Sequence, residues 1–360
     1  MKNNYGLVLS GGGTKGAYEV GAWKAIKELG IPIGGIAGTS IGALNGALFL
    51  QDDEEKTYSV YNNIQMSDIF GTLDSIDQEK SLFSVDNIRG LMKEYVQQKG
   101  LDTAPLENLI HENVDVDKVY DSPLDFGIVA FSLKDFAPVE KFKEEMTRDS
   151  MVKYLLASAS FPIFKPMKVK GDQFVDGGVY DNMPINMLIQ RGYKKIIVID
   201  VVGLGLRRKI ENRDGILIKM IRCSEDLGGT FDFDKQRIAK NIQMGYLDTL
   251  KAFQDLQGHI YYFSRDTFNK LSENFSLNTI YGLETAAKFY KLERYQIYSF
   301  DSFLTQIWDK HKSAQELYHE YNRKGFLQKL IETPLQVFDL VEKGYVIAWF
   351  EDMIATWPGQ

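Results

Sequence analysis

The sequence predicts an α/β protein with a central, mostly parallel sheet and a mainly helical C-terminal extension. Three observations support this fold class. Short apolar runs alternate with helical patterns over the first two hundred residues, which is typical of helices layered on a sheet. Glycines follow the first two runs, where a strand would turn into a helix. After about residue 265 the pattern is helical and rich in Tyr, Phe, Leu and Lys.

The predicted elements follow in order from the N-terminus. Most strands are short apolar runs, and the first helix ends at glycine and proline. The expected elements of the sheet region are strands at 7–9, 33–37, 126–131, 137–142 and 196–202, a hairpin of 167–170 with 173–175, and helices at 17–29, 43–50, within 52–110 and at 150–159. The strand at 196–202 is expected to close the sheet. Beyond it we expect a basic connector or surface loop at 203–213, a helix at 238–253 and a strand at 259–263.

Length and composition set the expected domain organisation. A chain of 360 residues with 44% hydrophobic and 25% charged residues can bury a large core. We expect an α/β domain over 1–202, a connector that completes it over 203–265, and a helical extension over 266–360.

Charge and cysteine content limit which partners and which cellular compartment are expected. A formal net charge of −7 disfavours nucleic acid, because phosphate binding needs a basic face, and leaves contact with a membrane surface open. The single cysteine, Cys223, can form neither an internal disulfide nor a cysteine-rich zinc site, which fits a reducing compartment. The N-terminal apolar run is too short for a signal peptide, and no run approaches the roughly 20 apolar residues of a membrane span. We therefore predict a cytoplasmic protein.

The segment Gly38-Thr39-Ser40-Ile41-Gly42 carries the most informative pattern in the chain. It lies between a predicted strand and a helix of small residues, and it has the G-x-S-x-G spacing of a serine nucleophile on a tight turn. The flanking glycines supply permissive backbone angles and leave no side chain to crowd the turn. Since such a match also arises by chance, an ordinary loop serine stays open until other motifs support a nucleophile.

A second glycine-rich segment, Gly11-Gly12-Gly13-Thr14-Lys15-Gly16, lies between the first strand and the first helix. A Walker P-loop is excluded because the lysine precedes the last glycine. A dinucleotide fingerprint fits three of the glycines but lacks the acidic residue it needs at the end of the second strand. If the first two strands are adjacent and parallel, the glycine amides reach Ser40 and form an oxyanion hole. Lys15 then either adds positive charge or is a solvated lysine at a helix start.

The serine also needs a base. None of the four histidines follows a glycine-flanked strand end; they are His111, His259, His311 and His319. The better candidate is Asp176, which follows a predicted strand and precedes two glycines. Alone, Asp-Gly indicates an ordinary turn, but beside the other two glycine motifs it predicts a carboxylate at a strand end. An aspartate near its ordinary pKa of about 4 is a weak base, so its site must desolvate it.

These motifs, taken in order, resemble those of the patatin-like phospholipases. The resemblance covers roughly residues 5–202 and, more weakly, a helix near 241–246. It includes Ala157-Ser158-Ala159-Ser160-Phe161-Pro162 and the Asp-Asn-x-Pro segment at 181–184. It implies a three-layer fold and a serine–aspartate dyad that hydrolyses acyl esters of lipids without metal or cofactor. Ser10 departs from the pattern, since many members carry an acidic residue or glycine there.

Carried over to this chain, the resemblance assigns Ser40 as the nucleophile and Asp176 as the base. It assigns the oxyanion hole to the backbone amides of Gly11, Gly12 and Gly13. The supporting residues are Lys15, Gly16, Gly38, Gly42, Gly177 and Gly178.

We therefore predict a serine acyl-ester hydrolase of the phospholipase A or lysophospholipase type that works through an acyl-enzyme. The alternatives are a non-lipid carboxylesterase or thioesterase, a triad that uses His259, and a non-catalytic module that binds a nucleotide or a lipid head group. The C-terminal extension is expected to be accessory, and the oligomeric state is left open. One segment is interpreted either as a flap over an acyl channel or as an ordinary helical cover, and it contains Phe70, Leu73, Ile76, Leu82 and Phe83.

Overall fold

The structure, a computed structural model, describes residues 2–71, 101–161, 164, 167–169 and 172–323. Strands and helices alternate over its first two hundred residues, as the apolar runs and glycine stops predict. The described strands are β1 (Tyr5–Leu9), β2 (Ile33–Thr39), β3 (Asp125–Ser132), β4 (Ala137–Phe142), β5 (Met167–Val169), β6 (Asp172–Asp176), β7 (Lys195–Asp200), β8 (Leu217–Arg222), β9 (Tyr262–Phe263) and β10 (Ile297–Tyr298). The described α-helices are α1 (Ala17–Glu28), α2 (Ile41–Leu50), α3 (Glu54–Asn63), α4 (Met66–Phe70), α5 (Ala104–Asn113), α6 (Val116–Asp121), α7 (Arg148–Ala159), α8 (Ile185–Gln190), α9 (Lys235–Ala252), α10 (Arg265–Asn274), α11 (Leu277–Phe289) and α12 (Phe300–Arg323).

Eight of these strands form one sheet in the order β5-β6-β3-β2-β1-β7-β8, with β4 also paired to β3. The strands β3, β2, β1, β7 and β8 run parallel to one another. The pairings of β4, β5 and β6 are antiparallel. The prediction of an α/β fold around a mostly parallel sheet is therefore confirmed, as is the hairpin made by β5 and β6.

Helices cover both faces of the sheet. Successive side chains of a strand point to opposite faces of the sheet, so neighbouring residues of β2 contact the helices on opposite faces. Ala37 packs in one core cluster with Leu188 of α8. Ile36 faces α2 instead, where a Cβ added to Gly46 would lie 3.2 Å from its side chain. A sheet between two helical layers results.

Strand β3 holds two other strands end to end along one of its edges. β4 pairs with β3 over 127–132, which overlaps both the β2 pairing over 125–129 and the β6 pairing over 130–132. A strand has only two edges, so β2 and β6 share the edge opposite β4. Thr39 at the end of β2 lies opposite Val129, and Asp176 at the end of β6 lies opposite Ala130. The carboxyl ends of β2 and β6 therefore meet.

Two of the predicted strands need correction. The apolar strand β7 does not close the sheet, because β8 pairs with it in parallel on its far side. Within β8 only Ile221 is buried, so this edge strand lacks the clean apolar alternation by which a strand is recognised. The strand expected at 259–263 is shorter, with only Tyr262 and Phe263 in β9, paired to β10.

The chain divides into two compact units, residues 1–252 and 253–360. In the first unit, α9 packs along α1, and the Tyr18 hydroxyl donates a hydrogen bond to Asp248 at 2.7 Å. Tyr246 likewise donates to Glu28 at 2.6 Å. The predicted connector at 203–265 thus spans the division between the units, and the domain boundaries themselves stay a prediction.

The second unit is mainly helical where it is described, which confirms the predicted character of the extension. The helices α10, α11 and α12 enclose a core that includes Phe263, Leu283 and Phe303. The buried carboxylate of Glu284 accepts hydrogen bonds from three successive backbone amides, at 259–261. No helix within the described ranges is long and apolar enough to cross a membrane.

Candidate active site

Ser40 occupies the turn between β2 and α2 in a strained backbone conformation. Its φ of 56° and ψ of −126° lie outside the regions that non-glycine residues ordinarily adopt. Its backbone amide donates a hydrogen bond to Ser158 Oγ of α7 at 2.9 Å. The G-x-S-x-G segment thus forms a sharp strand-to-helix turn of the kind that exposes a nucleophile.

Asp176 ends β6, where that strand meets the end of β2, and its residue is only 5% exposed. Its Oδ1 accepts a hydrogen bond from the Gly178 amide at 2.7 Å, and its own amide donates to the Ser160 carbonyl at 2.8 Å. Burial raises the pKa of Asp176 to about 6, although hydrogen bonds from Gly178 and from the Ser40 side chain act to lower it. A carboxylate that contacts the serine is therefore also a stronger base than an exposed aspartate.

The glycine loop lies directly beside the serine. A Cβ added to Gly11 would be 3.2 Å from the Cβ of Ser40. The Gly11 amide is engaged elsewhere, because it donates to the Asn182 carbonyl at 3.2 Å while Asn182 Nδ2 donates back to the Gly11 carbonyl at 3.0 Å. Within the described ranges, the amides of Gly12 and Gly13 donate to no protein acceptor. The predicted oxyanion hole thus has two free donors where the resemblance implied three.

A segment far along the chain supports the other side of this loop. Gly13 has a φ of +61°, and a Cβ placed on it would overlap the carbonyl oxygen of Thr230. The next amide, that of Thr14, donates to that same carbonyl at 2.8 Å. Lys15 directs its ammonium group to the Val202 carbonyl at 3.4 Å. The lysine therefore contributes positive charge next to the loop that follows β7.

The other supporting glycines lie at close backbone approaches around the turn. A side chain on any of them would meet neighbouring atoms within 3.0 Å. They are Gly16 against Ile41, Gly38 against Gly42, Gly42 against Leu9, Gly177 against Val129, and Gly178 against Asn182. The lack of room for a side chain thus explains why these positions are glycine, without any role in the reaction.

A buried polar network lies beneath the glycine loop. Asn45 of α2 donates to the Gly16 carbonyl at 3.0 Å and to Glu19 Oε2 at 2.8 Å, and it accepts from the Tyr61 hydroxyl at 2.9 Å. Burial raises the pKa of Glu19 well above its ordinary value, because the carboxyl group is fully enclosed. The network ties α1, α2 and α3 to the end of the loop and so fixes its position.

Two cavities open at Ser40. The first has a volume of about 370 Å³, and Gly12, Ser40 and Asp176 line it together with Leu204 and Leu206. The second, of about 70 Å³, is apolar and lies between α2, α4, α5 and a set of aromatic rings. Its apolar lining residues are Ile41, Leu44, Tyr61, Ile64, Ile69, Leu106, Phe161, Phe164, Phe231 and Phe233. The site therefore joins a polar reaction centre to an apolar pocket.

The sequence model of the patatin-like phospholipases matches residues 7–189, about half of the chain. This range contains the glycine loop, the serine turn and Asp176 in their expected order. The chain belongs to the patatin-like phospholipase family. The resemblance seen in the sequence is confirmed, and the matched range contains the residues that meet in the site.

Named relatives share part of this patatin-like chain. Lysophospholipase NTE1 of Eremothecium gossypii is 26% identical over 300 residues, which are 77% of this chain and 18% of that protein. Neuropathy target esterase sws of Drosophila melanogaster is 28% identical over 206 residues, 55% of this chain and 13% of that protein. The chain thus spans less than a fifth of the length of these relatives. The crystal structure of VipD from Legionella pneumophila has a TM-score of 0.45 and 13% identity, over 100% of this chain and 81% of that one.

Three residues of this patatin-like site had no role assigned from the sequence. Ser158 and Asn182 fall in the segments that carry the resemblance, so their positions were visible although their hydrogen bonds to Ser40 and Gly11 were not. Thr230 holds the glycine loop from 216 residues away along the chain, and no local pattern marks it. Long-range contacts of this kind have no signal in a single sequence.

Other sequence predictions fall outside this cavity. Among the described residues that line it there is no histidine. His259 belongs to the second unit, where its ring contacts Tyr281 at 5.1 Å. Most of the predicted flap, including Leu73, lies outside the described residues, whereas Phe70 is buried against Phe164. No group of His, Cys, Asp or Glu in the described ranges is arranged to hold a metal ion.

Proposed function

We propose that this chain is a lipid acyl hydrolase that works through a Ser40–Asp176 dyad and an acyl-enzyme. One observation carries the proposal: the strained Ser40 turn meets a buried carboxylate whose pKa is raised to about 6. A serine hydroxyl needs an adjacent base to become an effective nucleophile, and a base serves best when its pKa is near the working pH. Membership of the patatin-like family supports the same chemistry.

The proposed reaction has two halves. Asp176 takes the proton of Ser40 Oγ as that oxygen attacks the ester carbonyl, and the protonated carboxyl group then gives the proton to the leaving alcohol oxygen. A water molecule next attacks the acyl-serine while Asp176 accepts its proton. The proton returns to Ser40 Oγ as the fatty acid leaves, so the enzyme is regenerated.

The amides of Gly12 and Gly13 are proposed to stabilise the oxyanion that forms in both halves. They lie at the 370 Å³ cavity beside Ser40 and have no other acceptor within the described ranges. Donors of this kind contribute about 2.7–4 kcal/mol each to the transition state when the fold holds them in place. Thr230 and Asn182 hold the loop from its two sides and so supply that preorganisation.

A lipid substrate is supported by the apolar pocket at Ser40. Its lining of aliphatic and aromatic side chains suits an acyl chain, while the larger cavity, which Ser40 and Asp176 line, accommodates the rest of an ester. Of the two relatives described above, one is named a lysophospholipase and the other an esterase. We therefore propose a single-chain lipid ester, such as a lysophospholipid, as the first substrate to assay.

Labelling and hydrolysis test the proposal together. A fluorophosphonate probe is expected to label the purified chain at Ser40, and both lysophosphatidylcholine and p-nitrophenyl butyrate are expected to be hydrolysed. Ser40→Ala should abolish labelling, and Asp176→Asn should reduce hydrolysis by at least about 1000-fold. Matched controls are Ser59→Ala, an exposed serine of α3, and Asp172→Asn, a carboxylate on the same strand that pairs with Lys134.

Three results would contradict the proposal. Normal hydrolysis by Asp176→Asn together with loss of activity in His259→Ala would favour a triad instead of the dyad. Absence of labelling and of hydrolysis in the folded protein would favour a binding module. Hydrolysis of the soluble ester without the lysophospholipid would point to a carboxylesterase rather than a lipid enzyme.

A further inference from the structure

The loop that follows β7 exposes large apolar side chains at the mouth of the 370 Å³ cavity. Leu204 is 72% exposed and Leu206 is 64% exposed, and both line that cavity. Val179, on the turn after Asp176, also lines it and is 38% exposed. We refer to residues 202–213 as the leucine loop. A group of exposed apolar residues beside a binding cavity marks a surface that contacts something other than water.

Backbone contacts hold these leucines in place. The Leu206 amide donates to the Gly178 carbonyl at 2.9 Å, and the Leu206 carbonyl accepts from the Asn182 amide at 2.7 Å. Val202 has a φ of +54°, an unfavourable conformation for a β-branched residue. Because the segment after β6 holds the loop at Leu206, the exposure of its leucines is a built feature of the fold.

The same loop is basic although the chain as a whole is acidic. Its sequence has four basic residues, Arg207, Arg208, Lys209 and Arg213, against one acidic residue, Glu211, while the chain has a net charge of −7. Arg207 pairs with Asp200 and Arg208 with Glu211. Lys209 and Arg213 are exposed and pair with no carboxylate in the described ranges. Arg213 lies at the turn that leads into β8, where its carbonyl accepts from the Ile216 amide, so the unpaired cation that is close to the two exposed leucines along the chain is Lys209.

This combination favours an anionic lipid surface over a protein partner. Exposed leucines followed by basic residues match the two layers of such a surface, the acyl region and the charged head groups. A second copy of the chain seated here would cover the mouth of the cavity that contains Ser40. A lipid surface would instead bring acyl esters to that mouth.

We propose that the leucine loop is an interfacial docking segment for anionic lipid surfaces. Leu204 and Leu206 enter the acyl region, while Lys209 contacts a head-group phosphate. The mouth of the cavity then faces the lipid. The inference deepens the proposed lipid hydrolase by naming how it meets its substrate, but the docking itself requires no hydrolysis.

Vesicle binding by the full chain tests the docking. All proteins carry Ser40→Ala so that no lipid is consumed, and co-sedimentation is measured with phosphatidylcholine vesicles with and without phosphatidylglycerol. The protein with Ser40→Ala alone, the parent of this series, is expected to bind the mixed vesicles that contain phosphatidylglycerol. Leu204→Ser combined with Leu206→Ser should weaken binding on the order of 100-fold, because two leucine side chains would no longer be buried in the lipid. Lys209→Gln should weaken it about fivefold on mixed vesicles only, as expected for one cation.

Matched controls come from the opposite end of the sheet. Leu217→Ser removes a leucine that is 59% exposed at the start of β8, and Lys194→Gln removes an exposed cation before β7. Both should bind vesicles like the parent. The proposal is overturned if the parent does not bind the mixed vesicles or if the double leucine variant binds them like the parent. It is also overturned if the double leucine variant changes only the oligomeric state measured by light scattering. Vesicle binding without any ester hydrolysis by the wild-type chain would refute the proposed enzyme and leave the docking standing.

Discussion

Replacing Asp176 by asparagine is expected to stabilise the fold while it abolishes hydrolysis. Burial raises the pKa of Asp176 from an ordinary 3.8 to about 6. At 1.36 kcal/mol per pKa unit, the ionised carboxylate destabilises the folded state by about 3 kcal/mol at neutral pH. An asparagine carries no charge and keeps an oxygen that can accept from the Gly178 amide. It should therefore recover most of this free energy.

The gain depends on pH in a definite direction. A carboxyl group with a raised pKa in the folded state binds its proton more tightly there than in the unfolded chain. Its contribution to stability is fully present below pH 3.8 and is lost as the pH rises through about 6. Asp176→Asn should thus gain about 3 kcal/mol over the parent above about pH 7, and almost nothing near pH 4.

Hydrogen exchange of peptides from β1 and β7 measures this gain, because it reports the unfolding of the first unit separately from the second. The same substitution in a Ser40→Ala background should gain more, since that background removes a donor that lowers the pKa of Asp176. Asp172→Asn serves as the control, and it should gain nothing because it loses an ion pair with Lys134. A stability difference that is constant from about pH 4 to 8, or negative at pH 8, would refute the reasoning.

Three further predictions follow from the same site. The kcat/KM for a soluble ester should rise about tenfold per pH unit below pH 6 and level off above it, because Asp176 must be deprotonated; a flat profile across this range would exclude it as the base. Gly13→Ala should lower kcat at least about 100-fold with little change in KM, since the added Cβ would overlap the Thr230 carbonyl. Gly30 has a similar φ of +62° but open space around it, so Gly30→Ala should keep kcat. Equal losses of kcat in the two variants would mean that backbone strain alone explains the effect. Leu44→Phe should shift activity towards shorter acyl chains and Leu44→Ala towards longer ones, and an unchanged chain-length profile would exclude the pocket as the acyl site.

Local patterns in the sequence predicted the parts of the fold that depend on neighbours along the chain. The apolar runs gave β1 and β2, and the glycines around Ser40 indicated the turn between β2 and α2. Their parallel pairing follows from the helix between them, because a strand–helix–strand unit brings both strand ends to one edge. The sequence therefore predicted that the glycine loop and Ser40 lie together.

Other features depend on residues that are distant in sequence. The Gly11 amide was expected to be an oxyanion donor, yet Asn182 accepts from it, and nothing near either residue predicts that bond. The edge strand β8 was missed because only Ile221 in it is buried, while Leu217 and Met220 are exposed. Residues 203–213 of the leucine loop were predicted as a basic connector or surface loop, since their charge is visible in the sequence whereas the exposure of Leu204 is not.

The strength of the proposed base is itself a consequence of topology. An aspartate near its ordinary pKa would support only slow turnover at neutral pH, so the sequence alone left open whether Asp176 could act without a histidine. Because β6 and β2 share one edge of β3, the end of β6 is enclosed among β2, β3 and α7. That enclosure removes water from the carboxylate and raises its pKa to about 6. The pairing that carries Asp176 to Ser40 thus also makes it basic enough for the proposed role, and a change that loosened β6 from β3 should weaken both effects together.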